Sequence, residues 1–192
     1  MKHLMISFSL IILRLCLAFA QTDFGVSLSD AALELTGQHV QYDPSYYRIA
    51  YPGGDVPDGK GVCTDVIVRA YRKLGIDLQK EVHADMAVHF DKYPKMWGLK
   101  RPDTNIDHRR VPNLMCFFGR YGTVKNQSDF LPGDVVCWEL IGGMTHIGIV
   151  VSKRSADGQR YLIVHNIGGG QVLEDCLFSF KIIGHYQYTG SK

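Results

Sequence analysis

The sequence predicts an α+β domain in which N-terminal helices pack on an antiparallel sheet of about five or six strands. Two observations set the class. Apolar residues recur at helical spacing through the first part of the chain, and short apolar or alternating runs divided by glycine turns take over from Pro132. A third sets the size: 192 residues, 46% of them hydrophobic and 21% charged, suffice for one core and argue against a disordered or fibrous chain.

The opening "MKHLMISFSLIILRLCLAFA" has Lys2 and His3, an apolar run, and Ala18-Phe19-Ala20 before Gln21. It reads as a signal peptide over residues 1–20, which predicts export to the periplasm or beyond the cell. Its uncharged stretch from Leu4 to Leu13 is too short to span a bilayer, so the mature chain is expected to have no integral membrane segment. Residues 21–192 are then a single domain, with an inserted loop and helix region over about 81–122. In "SLSDAALELTGQHV" a first helix is expected, capped by Ser29 or Asp30. "YYRIAY" reads as extended, before a Gly-Pro loop. After the loop, Cys63, Ile67, Ala70 and Leu74 fall at steps of four, three and four on one stripe, with Arg72 and Lys73 in the last turn and Gly75 as the stop. "LQKEVHADMAVHFDKY" predicts another helix, ended by Pro94; "WGLKRPDTNIDHRRVPNL" is a charged loop and "LMCFFGRYG" a short apolar helix. Strands follow in "DVVCWEL", "HIGIVVS", "RYLIVHNI", "VLEDCLF" and "GHYQY", with "SADGQR" as a hairpin turn.

Charge and cysteine content remove several classes. Without Lys2 and Arg14, Lys plus Arg falls from 21 to 19 and balances 19 Asp plus Glu. With no basic run either, a nucleic-acid partner is set aside. Four cysteines remain, widely spaced and without C-x-x-C; Cys63 is expected free, with at most one bridge among Cys116, Cys137 and Cys176. A monomer without cofactor is expected.

The chemistry centres on Cys63. A helix N-terminus and a neighbouring imidazolium can bring a thiol from about 8.5 into the range of roughly 3.5–7.5, where it reacts as thiolate. Strand alternation puts His146, Gly148 and Val150 on one face, with Gly148 leaving space beside the imidazole. A base needs an orienting partner on its far nitrogen, and His165 or Asn166 on the next strand can supply it. Arg109 and Arg110, beside His108 in "DHRR", are candidate carboxylate clamps, unless Asp103 and Asp107 pair with them. Asp65 is a candidate to cap the helix or orient groups beside Cys63. His83, His89, His185, Trp97 and Trp138 read as packing or surface residues.

These motifs resemble those of NlpC-type cell-wall cysteine peptidases. Tyr51, then glycines and a proline, then "GVCTD" opening a helix that ends in "LG", resemble the entrance to that family's catalytic helix. "PGDVVCW", "THIGIVV" and "YLIVHNIGGGQVLED" resemble its next three elements. Val62 stands where that family has aspartate before the cysteine, and Thr64-Asp65 where it has Ser-Gly. The whole chain, including "NIDHRR", "HNIGGG" and "GHYQY", is similar to the domain of unknown function 1287 family, a distant relative of the NlpC group. The resemblance implies a papain-like fold and a cysteine hydrolase cutting an amide, with peptidoglycan stem peptides as substrate and partner. It implies Cys63 as nucleophile, His146 as base, His165 as orienting residue and Tyr51 as a transition-state contact. A non-catalytic wall-binding module of the same fold and a papain-like acyltransferase or lipid hydrolase are the rival readings. A zinc set of His146, His165, His108 and Cys63 lacks any supporting spacing, and no metal is expected.

Overall fold

The computed structural model describes residues 23–190; the expected signal peptide lies outside them. Four α-helices come in order: α1 (23–35), α2 (Cys63–Lys73), α3 (Leu78–His89) and α4 (Val111–Tyr121). The main sheet is antiparallel with strands in the order β3 (Thr123–Val124), β8 (Lys181–Gln187), β4 (Val135–Glu139), β5 (Thr145–Arg154), β6 (Tyr161–His165), β7 (Val172–Glu174). Two short strands, β1 (Gln41–Tyr42) and β2 (Lys60–Gly61), pair in parallel ahead of α2. The fold is therefore α+β, helices before sheet.

Helix α1 starts six residues before Ser29. Ser29 is fully buried inside the helix, and its hydroxyl accepts the N–H of Ser152 at 2.9 Å, so it fastens α1 to β5 where a cap was expected. Helix α4 also starts earlier than its apolar run: Pro112 sits in the first turn, where a missing N–H has no intrahelical partner to lose. The expected stripe of α2 is buried at Cys63, Ile67 and Ala70, and Gly75 ends the helix at φ 80°. The burial of α2 goes further than one stripe, because α3, α4 and the segment between them cover its other side: Thr64, Asp65, Val66, Val68 and Tyr71 are buried too.

Alternation divides the sheet into two faces. Val135, Cys137, Ile147, Ile149, Val151 and Val164 meet the helices in the larger core. Val136, Trp138, Val150 and Ile163 face away, under Cys176 and Leu177 of the segment after β7. Cys63, Cys116, Cys137 and Cys176 are all free thiols, within the expectation of a free Cys63 and at most one bridge among the others. Among the described residues no helix is long and apolar enough to cross a membrane.

Candidate active site

Cys63 is the first residue of α2, after an extended Val62. Asp65, in the first turn, accepts the Val62 N–H at 2.7 Å and closes the helix start on itself. Its other lone pairs take the Arg109 fork, with Nε on Oδ1 at 2.9 Å and Nη2 on Oδ2 at 3.0 Å. Both side chains are almost wholly buried, at 4% and 2% exposure. Arg109 also donates to the Ser45 carbonyl at 3.0 Å. Arg109 is thereby a strut between the segment before the loop and helix α2, with its fork already engaged.

The two histidines lie on the other face of the sheet. Nε2 of His146 meets Nδ1 of His165 at 2.8 Å, and Nε2 of His165 meets a Glu174 carboxylate oxygen at 2.7 Å. An ionised carboxylate only accepts, so His165 donates from Nε2 and its Nδ1 accepts; His146 then donates from Nε2. Nδ1 of His146 is left with a lone pair and no hydrogen bond among the described residues. The His146 ring is stacked on Trp138, centroids 5.8 Å apart. Gly148 permits the close approach of β6: a Cβ there would lie 2.6 Å from Ile163 Cγ2 and 3.2 Å from His165 Cβ. The space expected beside His146 is thus used by its neighbour across the ladder.

The thiol meets this line where the sheet opens. The β5–β6 ladder ends toward the site at Ile149 and Val164. Val150 donates its N–H toward Asp134 on the β4 side, so Ile147 presents its own to the β6 side, beyond the ladder's end. That N–H favours the charged form of the Cys63 thiol, one residue from His146. Asn166 donates to the Gly61 carbonyl at 3.3 Å, tying the end of β6 to the segment before α2. No hydrogen bond joins Cys63 to His146 among the described residues.

Burial dominates the charge states. It pushes the Cys63 thiol up to about 12, against the N–H groups of Ile147 and Thr64, with Asp65 adding to the rise. It also brings His146 down to about 3, helped by His165, and lowers His165 against the pull of Glu174. The depressed thiol expected from the helix terminus is therefore not found: with the Cys63 side chain buried, desolvation outweighs the dipole. The resting pair is thiol and neutral imidazole.

A cleft of about 400 Å³ opens on Cys63, lined by Tyr42, Trp97, Arg109, Arg110 and Thr145 among others. Arg110 lies over the Trp97 ring at 4.2 Å, and one of its buried guanidinium nitrogens, Nη1, has no partner. Asp103 and Asp107 do not form ion pairs with either arginine; they hold Tyr46 and His83. Trp97 is half exposed at the mouth, which differs from the packing role expected of it, whereas Trp138 is buried as expected.

Two expected contacts lie elsewhere. Tyr51 is turned out against His83, ring centroids 5.2 Å apart, and is absent from the cleft wall. Tyr42 stands in its place, brought opposite Gly61 by the β1–β2 pairing and close enough for the Cys63 and Asp65 charges to raise its hydroxyl beyond the effect of burial. His108 is 2% exposed, with its Nδ1 unpartnered and burial lowering it to about 4, and it does not line the cleft. Sequence reasoning missed Tyr42 and Glu174. The aromatic cluster "QYDPSYYR" and the acid in "VLED" were the available signals, and neither spacing singles one residue out.

Residues 29–188 match the family described as "Domain of unknown function (DUF1287)". "Uncharacterized protein YijF" of Escherichia coli (strain K12) is 49% identical over 172 residues, covering 88% of this chain and 83% of that protein. Among solved structures, NlpC2 and NlpC1 from Trichomonas vaginalis are 13% and 16% identical, with TM-scores of 0.46 and 0.45. They match 84% and 85% of this chain, which spans 47% and 45% of theirs, somewhat under half.

Proposed function

The chain belongs to the DUF1287 family, and from the geometry around Cys63 we propose that it is an exported papain-like cysteine hydrolase that cleaves an amide in peptidoglycan stem peptides. One observation carries the reading: the line Glu174–His165–His146 ends on a free Nδ1 lone pair, on the strand residue next to the Ile147 N–H that acts on a thiol at a helix N-terminus.

Chemistry starts from the neutral pair. As the Cys63 sulfur attacks the carbonyl carbon, Nδ1 of His146 takes the thiol proton, and His165 and Glu174 hold the imidazolium through Nε2–H. The oxyanion is placed for the N–H groups at the start of α2. His146 then gives the proton from Nδ1 to the leaving amine, the C–N bond breaks, and a thioester remains. Water, losing a proton to the same nitrogen, cleaves the thioester and restores the thiol. Arg110 supplies the substrate contact: its unpartnered N–H is placed for a carboxylate of the kind stem peptides carry, and Trp97 offers a flat apolar wall.

The test is digestion of purified sacculi and of synthetic stem peptides, with products read by mass spectrometry. The mature protein is expected to release fragments with a new amine and a new carboxylate, and Cys63→Ala and His146→Ala to release none. No release by any of the three, or release that survives Cys63→Ala, would refute the reading.

A further inference from the structure

Behind the base, on the side of the sheet away from the cleft, three different donor atoms converge. His165 Nε2, a Glu174 carboxylate oxygen and Cys176 Sγ all lie within 4.8 Å of one another. We propose that these residues bind a zinc ion, or a similar first-row divalent cation, and that the bound metal switches off His146. The regulatory half rests on the proposed hydrolase; the metal site does not.

The donor set and spacing fit. Imidazole nitrogen, thiolate sulfur and carboxylate oxygen are the ligand types zinc takes, three from protein with water as the fourth. Bond lengths of about 2.0–2.1 Å to nitrogen and about 2.3 Å to sulfur set these two atoms about 3.6 Å apart around a tetrahedral ion. Cys176 Sγ and His165 Nε2 are 3.6 Å apart. The same reasoning asks for about 3.3 Å between nitrogen and oxygen, against 2.7 Å observed. Glu174 must back away by about half an ångström on these bond lengths, and its side chain, 56% exposed, has the room. That exposure is also the route by which an ion enters. Asp175 next along the chain is not a competing ligand, because Arg160 holds both its oxygens at 2.7 and 2.6 Å. Cys176 is buried, with its thiol kept protonated by that burial, so binding releases the thiol proton to solvent as the metal–sulfur bond forms.

The coupling follows from which ring nitrogen carries hydrogen. Without metal, His165 donates from Nε2 to Glu174 and accepts on Nδ1, which gives His146 a free Nδ1. A metal on Nε2 of His165 requires a lone pair there, so the hydrogen of neutral His165 moves to Nδ1. Nδ1–H then faces Nε2 of His146, which must accept; the hydrogen of His146 moves to Nδ1. One proton has passed, through solvent, from His165 Nε2 to His146 Nδ1, and nothing is oxidised or reduced. His146 now presents N–H to Cys63 and has no lone pair to take the thiol proton. The imidazolium state is blocked as well, since two N–H groups would oppose each other across 2.8 Å.

The test begins in Cys63→Ala, which removes the nucleophile and any metal it might take. Co2+ is expected to give tetrahedral d–d bands and a thiolate-to-metal charge-transfer band, both removed by Zn2+. Adding Cys176→Ser should abolish the charge-transfer band and weaken binding by at least about tenfold; Glu174→Gln should weaken binding while keeping the band. Melting curves identify any variant that fails to fold. Nitrogen-15 spectra of the histidine rings supply the second readout: Zn2+ is expected to turn Nδ1 of His146 from an acceptor into an N–H. Absence of the band, or a band that survives Cys176→Ser, would overturn the site. Metal bound with His146 unchanged would overturn the switch. Failure of sacculus digestion with both signals present would instead count against the hydrolase.

Discussion

Replacing Asp65 by asparagine is expected to be the most damaging isosteric change near the thiol. The carboxylate accepts three charge-assisted or backbone hydrogen bonds, from Val62 N–H at 2.7 Å and from Arg109 at 2.9 and 3.0 Å. Asparagine keeps the volume and one carbonyl oxygen, enough for Val62 or for one arm of Arg109. It leaves the guanidinium charge, in a side chain 2% exposed, without a counter-charge. Breaking one side of a buried pair costs about 3–5 kcal/mol. The asparagine retains part of the bonding, so about 3 kcal/mol is expected, a fall in urea midpoint of about 1.5 M at a slope of about 2 kcal/mol per M. Arg109→Met should cost a similar amount, about 3 kcal/mol, because it strands the Asp65 charge and the Ser45 carbonyl together. With both charges gone the double variant should be less damaged than the summed singles by about 2 kcal/mol. Urea unfolding of the four proteins measures all three numbers. Single losses below about 1 kcal/mol, or strict additivity, would refute the assignment of this pair as the strut of α2.

Other consequences are as direct. Iodoacetamide labelling of Cys63, mapped by mass spectrometry, should keep rising through and beyond the ordinary thiol range of about 8.5, because burial holds the thiol protonated; a plateau below that range would refute the neutral resting pair. Gly148→Ala drives a methyl to 2.6 Å from Ile163 Cγ2 and should cost about 1–3 kcal/mol in thermal unfolding, with the His146–His165 hydrogen bond lengthened or lost in ring nitrogen-15 spectra. An unchanged melting temperature would mean that β6 has room to retreat. Arg110→Ala should raise KM for carboxylate-bearing stem peptides about tenfold or more and leave kcat within a few-fold, as loss of a binding contact does; a drop in kcat at constant KM would place Arg110 in the chemical step instead.

The parts legible in the sequence are those fixed by neighbours a few residues away. The stripe from Cys63 to Leu74 and the alternation His146, Gly148, Val150 both survive into the structure because helical and strand periods act locally. Tyr42 reaches the cleft through a two-residue pairing with β2, nineteen residues downstream, too short to leave a pattern. Arg109 and Asp65 are 44 residues apart, and only the folded insert brings them together. Glu174 sits on a three-residue strand where its neighbour Asp175 reads equally well as the partner of His165; the structure divides them, giving Asp175 to Arg160. The thiol's proton affinity was misjudged for a related reason. The dipole of α2 is visible in the sequence, but the burial of the Cys63 side chain depends on how distant segments pack around it.

Placing the thiol and the imidazole on opposite faces of one sheet looks incompatible with proton transfer between them, and in a continuous ladder it would be. The chain resolves this by stopping the β5–β6 ladder one step short. At Ile147 the outward N–H lies beyond the β5–β6 ladder, and it favours the charged form of the Cys63 thiol. The sulfur stands at the start of α2, where the cleft opens. Helix α2 fixes it on one side through Asp65 and Arg109; Trp138, His165 and Glu174 fix the imidazole on the other. Each half is held by its own buried contacts, so under the proposed mechanism attack on a carbonyl in the cleft needs no rearrangement of either core. The same separation makes the imidazole's far side available to a second ligand, because nothing bound at Glu174 and Cys176 has to pass through the substrate cleft.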